Sequence, residues 1–136
     1  MTQHTFRRAT PADLDHILSI AHQAYPQVTD WEAGRRWAAA MLANEGSVMC
    51  LIGQRSVGFM MVMHAFWDAA PRAFLLPLFS IPGADLEPLA MVRQFAAFAK
   101  QVGCATLQAG TETASDVGIL LKRLGGEPRE LYELEL

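Results

Sequence analysis

Leu14, Ile17, Leu18 and Ala21 recur at i, i+3, i+4 and i+7, with Asp15, His16, Ser19 and His22 between them. That spacing predicts an amphipathic helix running to about Ala24. Thr10-Pro11-Ala12-Asp13 opens it, with a hydroxyl at the N-cap, proline at N1 and an acid at N3 where it meets orphan backbone N–H groups. Thr5 to Arg8 predicts a short entering strand. Thr29-Asp30-Trp31-Glu32 repeats the pattern as a capping box, Thr29 at the N-cap and Glu32 at N3. Ala33, Trp37, Ala40 and Met41 then share one face of a second helix that ends at Asn44-Glu45-Gly46.

After Gly46 the period changes. Ser47 to Ile52 is continuously apolar, Gly53-Gln54-Arg55-Ser56 supplies a turn, and Val57 to Trp67 is rich in Val, Phe and Met, which predicts a hairpin of two strands. A third strand, Ala73 to Ile81, follows the turn Asp68 to Arg72; Pro77 interrupts it and cannot donate to a ladder, so it must face an edge, a bulge or a gap. Pro82-Gly83-Ala84-Asp85 closes this strand. Leu86 to Val102 predicts a long helix with Pro88 in its first turn, Leu89, Val92, Ala96 and Ala99 on one face, and Gly103 as its stop. Cys104 to Ala109 predicts a strand, Ser115-Asp116 opens a fourth helix, and Glu130 to Leu136 alternates like a half-exposed strand. The order βααβββαβαβ predicts an α/β (α+β) fold: a mixed sheet of about six strands with four helices on its two faces. Leu14, Ile17, Leu18, Val92, Ala96, Val117, Leu120 and Leu121 are the expected core.

Composition narrows the function classes. At 136 residues and 51% hydrophobic, the chain suits a single domain over residues 1–136. Eleven basic against fourteen acidic residues give a formal charge of −3, with no basic stripe, so no nucleic-acid partner is expected. No apolar run approaches the roughly 18–20 residues of a membrane span, and no membrane association is expected. Cys50 and Cys104 stand apart inside apolar runs, which predicts buried, inert thiols in a reduced, cytoplasmic setting. His4, His16 and His22 have no ligand spacing, so no metal is expected. Met60, Met61 and Met63 alternate along one strand and read as core filling.

Three stretches carry a family resemblance: FRRATPADLDHILSIAHQAY, VGFMMV and LLKRLGGEPRELYELEL. With the element order, they make nearly the whole chain resemble the GNAT family of N-acetyltransferases. The resemblance implies acetyl-CoA in a gap where the fourth and fifth strands splay apart, its pyrophosphate on the next helix N-terminus. The matching positions are Phe79, Ser80 and Ile81 on the strand, where a backbone N–H would polarise the acetyl carbonyl, and Gly83, Ala84 and Leu86 in the loop. The family's loop is an Arg/Gln-x-x-Gly-x-Gly/Ala run, whereas Pro82 to Pro88 holds one glycine and no cation. Asp85 and Glu87 are expected to face the phosphates and weaken binding. Leu121 stands where many members carry a proton-donating tyrosine, and Gly126 replaces a phenylalanine. Glu112, just after the fifth strand, and His64 are the candidate catalytic bases. Tyr25 and Trp31 bracket the connection that shapes the acceptor pocket in the family. The implied activity moves an acetyl group from acetyl-CoA to an amine of a small molecule or protein. The alternative is a silent module that keeps the fold, has lost acetyl-CoA binding and serves assembly, with a protein partner or as a homo-oligomer.

Overall fold

The computed structural model of the chain describes residues 4–64, 66–109, 116–127 and 134–135, with the side chains of the last helix described from Ile119. β1 (Arg7–Arg8) leads through a 3-10 turn (Pro11–Asp13) into α1 (Leu14–Ala24). The Asp13 carboxylate accepts the Thr10 N–H at 2.8 Å and two Arg7 guanidinium hydrogens at 2.7 and 2.9 Å. The guanidinium bonds, and then the Thr10 N–H, hold this carboxyl well below the usual carboxylate range. α2 (Glu32–Ala43) starts later than the Thr29 box predicts. Its N-cap is Trp31, and Asp30 just before it accepts the Glu32 N–H on Oδ1 at 3.1 Å.

β2 (Val48–Ile52), β3 (Ser56–Met63) and β4 (Arg72–Ser80) form an antiparallel meander, followed by α3 (Glu87–Gln101), β5 (Leu107–Ala109) and α4 (Asp116–Arg123). β3 ends at Met63, short of Trp67, because His64 and Asp68 close a turn there. Among the described residues the sheet order is β1-β2-β3-β4-β5, and only the β4–β5 pair is parallel. This is the expected mixed α+β fold, with five strands described. The sixth, Glu130 to Leu136, falls almost wholly outside the described residues. Among the described residues no helix is long and apolar enough to cross a membrane.

Two cores sandwich the sheet. On one face Val48, Cys50, Ile52, Val57 and Phe59 pack with Ile17, Ile20, Ala38 and Leu42 of α1 and α2; on the other Met49, Leu51, Met60, Leu75 and Leu78 meet Met91, Val92, Phe95 and Ala99 of α3. β2 is buried at every position, which explains its unbroken apolar run. Ile17, Leu18 and Val92 are buried as expected, while Leu14, Ala96, Leu120 and Leu121 are half-buried and the Val117 side chain lies outside the described set. Met60 is buried on the α3 side, Met61 packs against the other core and Met63 is exposed. Both cysteines are buried and free, and burial pushes the Cys50 thiol up to about 12.

Pro77 sits in a bulge. Gly58 pairs with Leu78 but Met60 pairs with Leu75, so two steps along β3 match three along β4. The extra residue lets Leu75 and Leu78 both reach the α3 core, while Leu76 and Phe79 turn to the other face. α3 presses on this part of the sheet. A Cβ at Gly58 would lie 2.8 Å from Phe95 Cε2 and 2.9 Å from Met91 Sδ, both in fully buried residues. Gly58→Ala is therefore expected to destabilise the fold by about 1–3 kcal/mol through overpacking. Chemical denaturation checks this, and an unchanged midpoint would mean that α3 stands further off.

Candidate functional site

β4 and β5 part company early. Their parallel pairing covers only Ala73–Leu75 against Leu107–Ala109, with the Ala73 N–H donated to the Thr106 carbonyl at 3.2 Å. From Leu76 to Ser80, β4 has no strand on that edge among the described residues. The free edge has a definite polarity. The Ile81 N–H is donated back to the Arg55 carbonyl at 2.8 Å, and in an antiparallel ladder successive N–H groups alternate between edges. Phe79 therefore also faces β3, and the N–H groups of Leu78 and Ser80 face the open edge. Of the three strand positions expected to polarise a carbonyl, Ser80 alone presents its N–H to the gap; Phe79 and Ile81 have theirs turned to β3. The Ser80 hydroxyl lies 2.7 Å from that of Ser56, across a pair without backbone hydrogen bonds, where side chains come closest.

The loop after β4 turns at Gly83 (φ +90°) and Asp85 (φ +53°), the latter in the left-handed region that favours glycine. Ala84 accepts the Glu87 N–H at 3.0 Å as α3 begins, and Leu86 stands exposed at its N-cap. Glu87 does not face forward as expected. Its side chain is turned into the β2–β3 turn and only 6% of the residue is exposed. There the carboxylate accepts the Arg55 N–H at 2.7 Å and the Gln54 N–H at 3.2 Å, and a Cβ at Gly53 would lie 2.8 Å from Oε1. The reason is physical: a carboxylate leaves water only where strong donors replace it, and the turn's N–H groups provide them.

This arrangement also supplies a cation that the loop lacks. The Arg55 guanidinium donates to the Pro82 carbonyl at 3.3 Å, and its Nη1 would lie 3.1 Å from a Cβ at Gly83. Sequence reasoning missed Arg55 because it sits in another turn, 27 residues before Pro82. The available signal was an arginine in the tight Gly53–Ser56 turn, which can project only from the sheet end where the loop also lies.

The other expected site residues are dispersed. Tyr25, the C-cap of α1, sets its ring edge-on to Phe79 at 6.1 Å and is thus beside the free stretch of β4. Trp31 stacks on His22 at 4.8 Å and donates its indole N–H to the Val28 carbonyl. It lines a separate open groove of about 630 Å³ between α1 and α2, with Leu18, Asp15 and Arg35, the last two ion-paired at 2.6 Å. His64 adjoins the Met63–Arg72 end of the hairpin, roughly 25 Å of strand from Ser80, and its ring nitrogen bonds the Asp68 carbonyl. Glu112 lies outside the described residues. Among the described residues, no three His, Cys, Asp or Glu side chains are placed to hold a metal ion.

No protein-family model matches the chain, and no curated protein matches it in sequence. Solved structures do match in fold. An acetyltransferase candidate from Arthrobacter sp. FB24 superposes with a TM-score of 0.79 at 19% identity, covering 100% of this chain and 98% of that one. The aminoglycoside antibiotic 6'-N-acetyltransferase of Acinetobacter haemolyticus gives 0.71 at 16% identity over 97% and 99% of the two chains. A transcriptional regulator from Bacillus halodurans C-125 gives 0.76 at 14% identity over 98% and 99%. The chain thus shares the fold of these structures.

The Glu87 contact has a measurable consequence. Glu87→Ala leaves two turn N–H groups without their acceptor and is expected to cost about 1–3 kcal/mol, with Glu87→Gln, which keeps one acceptor oxygen, in between. Thermal denaturation of both variants checks it. Equal stability of all three proteins would contradict the clamp.

Proposed function

We propose that the protein is an N-acetyltransferase that moves an acetyl group from acetyl-CoA to an amine of a small molecule. The observation that carries this reading is the free edge of β4, which runs directly into the Gly83 turn and the start of α3. Leu78 and Ser80 present backbone N–H groups along an extended edge, suited to the amides of a pantetheine arm. At its end, the Gly83 turn, the Leu89 N–H in the first turn of α3 and the Arg55 guanidinium supply donors and positive charge suited to a pyrophosphate, while Pro88 has no N–H and those of Glu87 and Ala90 go to the Ala84 and Leu86 carbonyls. Glu87, buried and engaged, does not crowd that place; Asp85 is the carboxylate that opposes an anion there. The residues present therefore fit acetyl-CoA, which would bring the acetyl thioester.

The chain's own residues supply the rest of the site. Ser80 is the edge donor for the carbonyl in place of Ile81. Tyr25, beside Phe79, borders the acceptor side, and Glu112, three residues past the end of β5 in the chain, takes the proton from the amine. A small amine is favoured because an aminoglycoside acetyltransferase shares the fold. Buried free thiols at Cys50 and Cys104 suit a cytoplasmic setting.

Calorimetric titration with acetyl-CoA is expected to show saturable binding, and Arg55→Ala to weaken it about 10- to 100-fold, the loss of a charge-assisted contact. The difference should shrink at high salt. Silence of the wild-type protein at millimolar ligand would instead favour a binding or assembly module on the same fold. With a panel of amines and a thiol-release assay, Glu112→Gln is expected to lower kcat about 10²- to 10⁴-fold with little change in the KM for acetyl-CoA. An undiminished rate would remove Glu112 from the site.

A further inference from the structure

We propose that the tip of the β3–β4 hairpin is a self-association surface that takes a second copy of this chain. β3 and β4 are central strands, yet their hairpin runs past both neighbours. Bonding to the β2 side ends with the Val62 N–H on the Ser47 carbonyl and to the β5 side with the Ala73 N–H on the Thr106 carbonyl, while β3 and β4 continue to the Met63–Arg72 pair and its turn. On the far side of that last pair, Phe66 is 101% and Trp67 81% exposed, and Met63 at the end of β3 is exposed too. Their presentation is fixed by polar contacts at the turn's base. The His64 Nε2 bonds the Asp68 carbonyl at 2.8 Å, and the Asp68 carboxylate, 6% exposed, takes the Arg72 guanidinium at 2.9 Å.

Area and charge together select the occupant. Two large aromatics carry roughly 150–250 Å² each, about 400 Å² per copy. A two-fold contact uses the same patch twice, giving about 800 Å², and Met63 and Ala69 at the rim bring the total towards the roughly 1,200 Å² at which specific interfaces begin. Asp68 and Arg72 neutralise each other within one copy, so neither charge repels its symmetry mate. The formal charge of −3 disfavours an anionic bilayer, the other apolar surface that accepts aromatic tips. Around the two-fold axis Phe66 packs on the partner's Trp67, and the loop at the opposite end of β4 stays open in both copies. A contact of this size makes a weak, concentration-dependent dimer. It is independent of the acetyl-CoA reading.

Sedimentation velocity from about 5 to about 500 µM tests it. The wild-type protein is expected to move from its 15.0 kDa monomer towards twice that mass as concentration rises. The Phe66→Ser/Trp67→Ser variant should stay monomeric throughout with an unchanged melting temperature, since neither residue belongs to a core. In dilution spectra the indole N–H resonance of Trp67 should shift while those of Trp31 and Trp37 hold still. A wild-type monomer at the highest concentration would overturn the proposal, as would a double variant that still associates. A monomer that floats with phosphatidylcholine vesicles through Trp67 would reassign the tip to a lipid surface.

Discussion

One buried carboxylate ties the meander to the rest of the fold. Glu87 opens α3, but its side chain reaches back to hold the N–H groups of Gln54 and Arg55 in the turn between β2 and β3. The cost of removing a carboxylate from water is offset by those two charge-assisted bonds and by its seat at the N-terminus of a fifteen-residue helix. Three consequences follow from the same contact. The turn is pinned against the end of β4, where the Arg55 carbonyl accepts the Ile81 N–H. The Arg55 side chain is directed over the Pro82–Gly83 turn. The negative charge that the chain places at the start of α3 is withdrawn from the face where an anion would approach.

β4 converts this anchor into a site. Its first part is an ordinary central strand, paired on both edges and buried against α3 through Ala73 and Leu75. The bulge at Leu76–Pro77 then resets which side chains face which core, and past it, among the described residues, the strand pairs with β3 alone. A proline is tolerated in a central strand because it falls at the bulge, where the ladder is already interrupted. The free N–H groups that follow lead without a break to the α3 loop. Backbone geometry thus creates the open edge that the proposed acetyl-CoA site uses, with the Arg55 and Tyr25 side chains near its ends.

Much of the fold is legible in the chain because its signals are local. The apolar spacing of α1 and α3, the continuous run of β2, the glycine stop at Gly103 (φ +94°) and the misfit of Pro77 each follow from a few neighbouring residues. Boundaries shift where local polar contacts intervene: Asp30 takes the Glu32 N–H ahead of an α2 that starts two residues later than the Thr29 box predicts, and His64 with Asp68 ends β3 early. The candidate site is less legible because it depends on direction. Glu87 is a negative charge in the loop by position but a turn anchor by rotamer. Ile81 has an N–H, yet the register spends it on Arg55. His64 lies at the opposite end of the hairpin from Ser80. Arg55 escapes notice altogether, since only the pairing of β3 with β4 brings its turn to the loop.

In the proposed complex acetyl-CoA lies along the β4 edge and ends under Arg55. Backbone and arginine side-chain nitrogen resonances followed during titration with acetyl-CoA test it most directly. Saturating shifts are expected at Leu78, Ser80, Gly83 and the Arg55 guanidinium, with the resonances of the distant Phe66–Trp67 tip unmoved. Shifts confined to the groove between α1 and α2, or none at millimolar ligand, would contradict it.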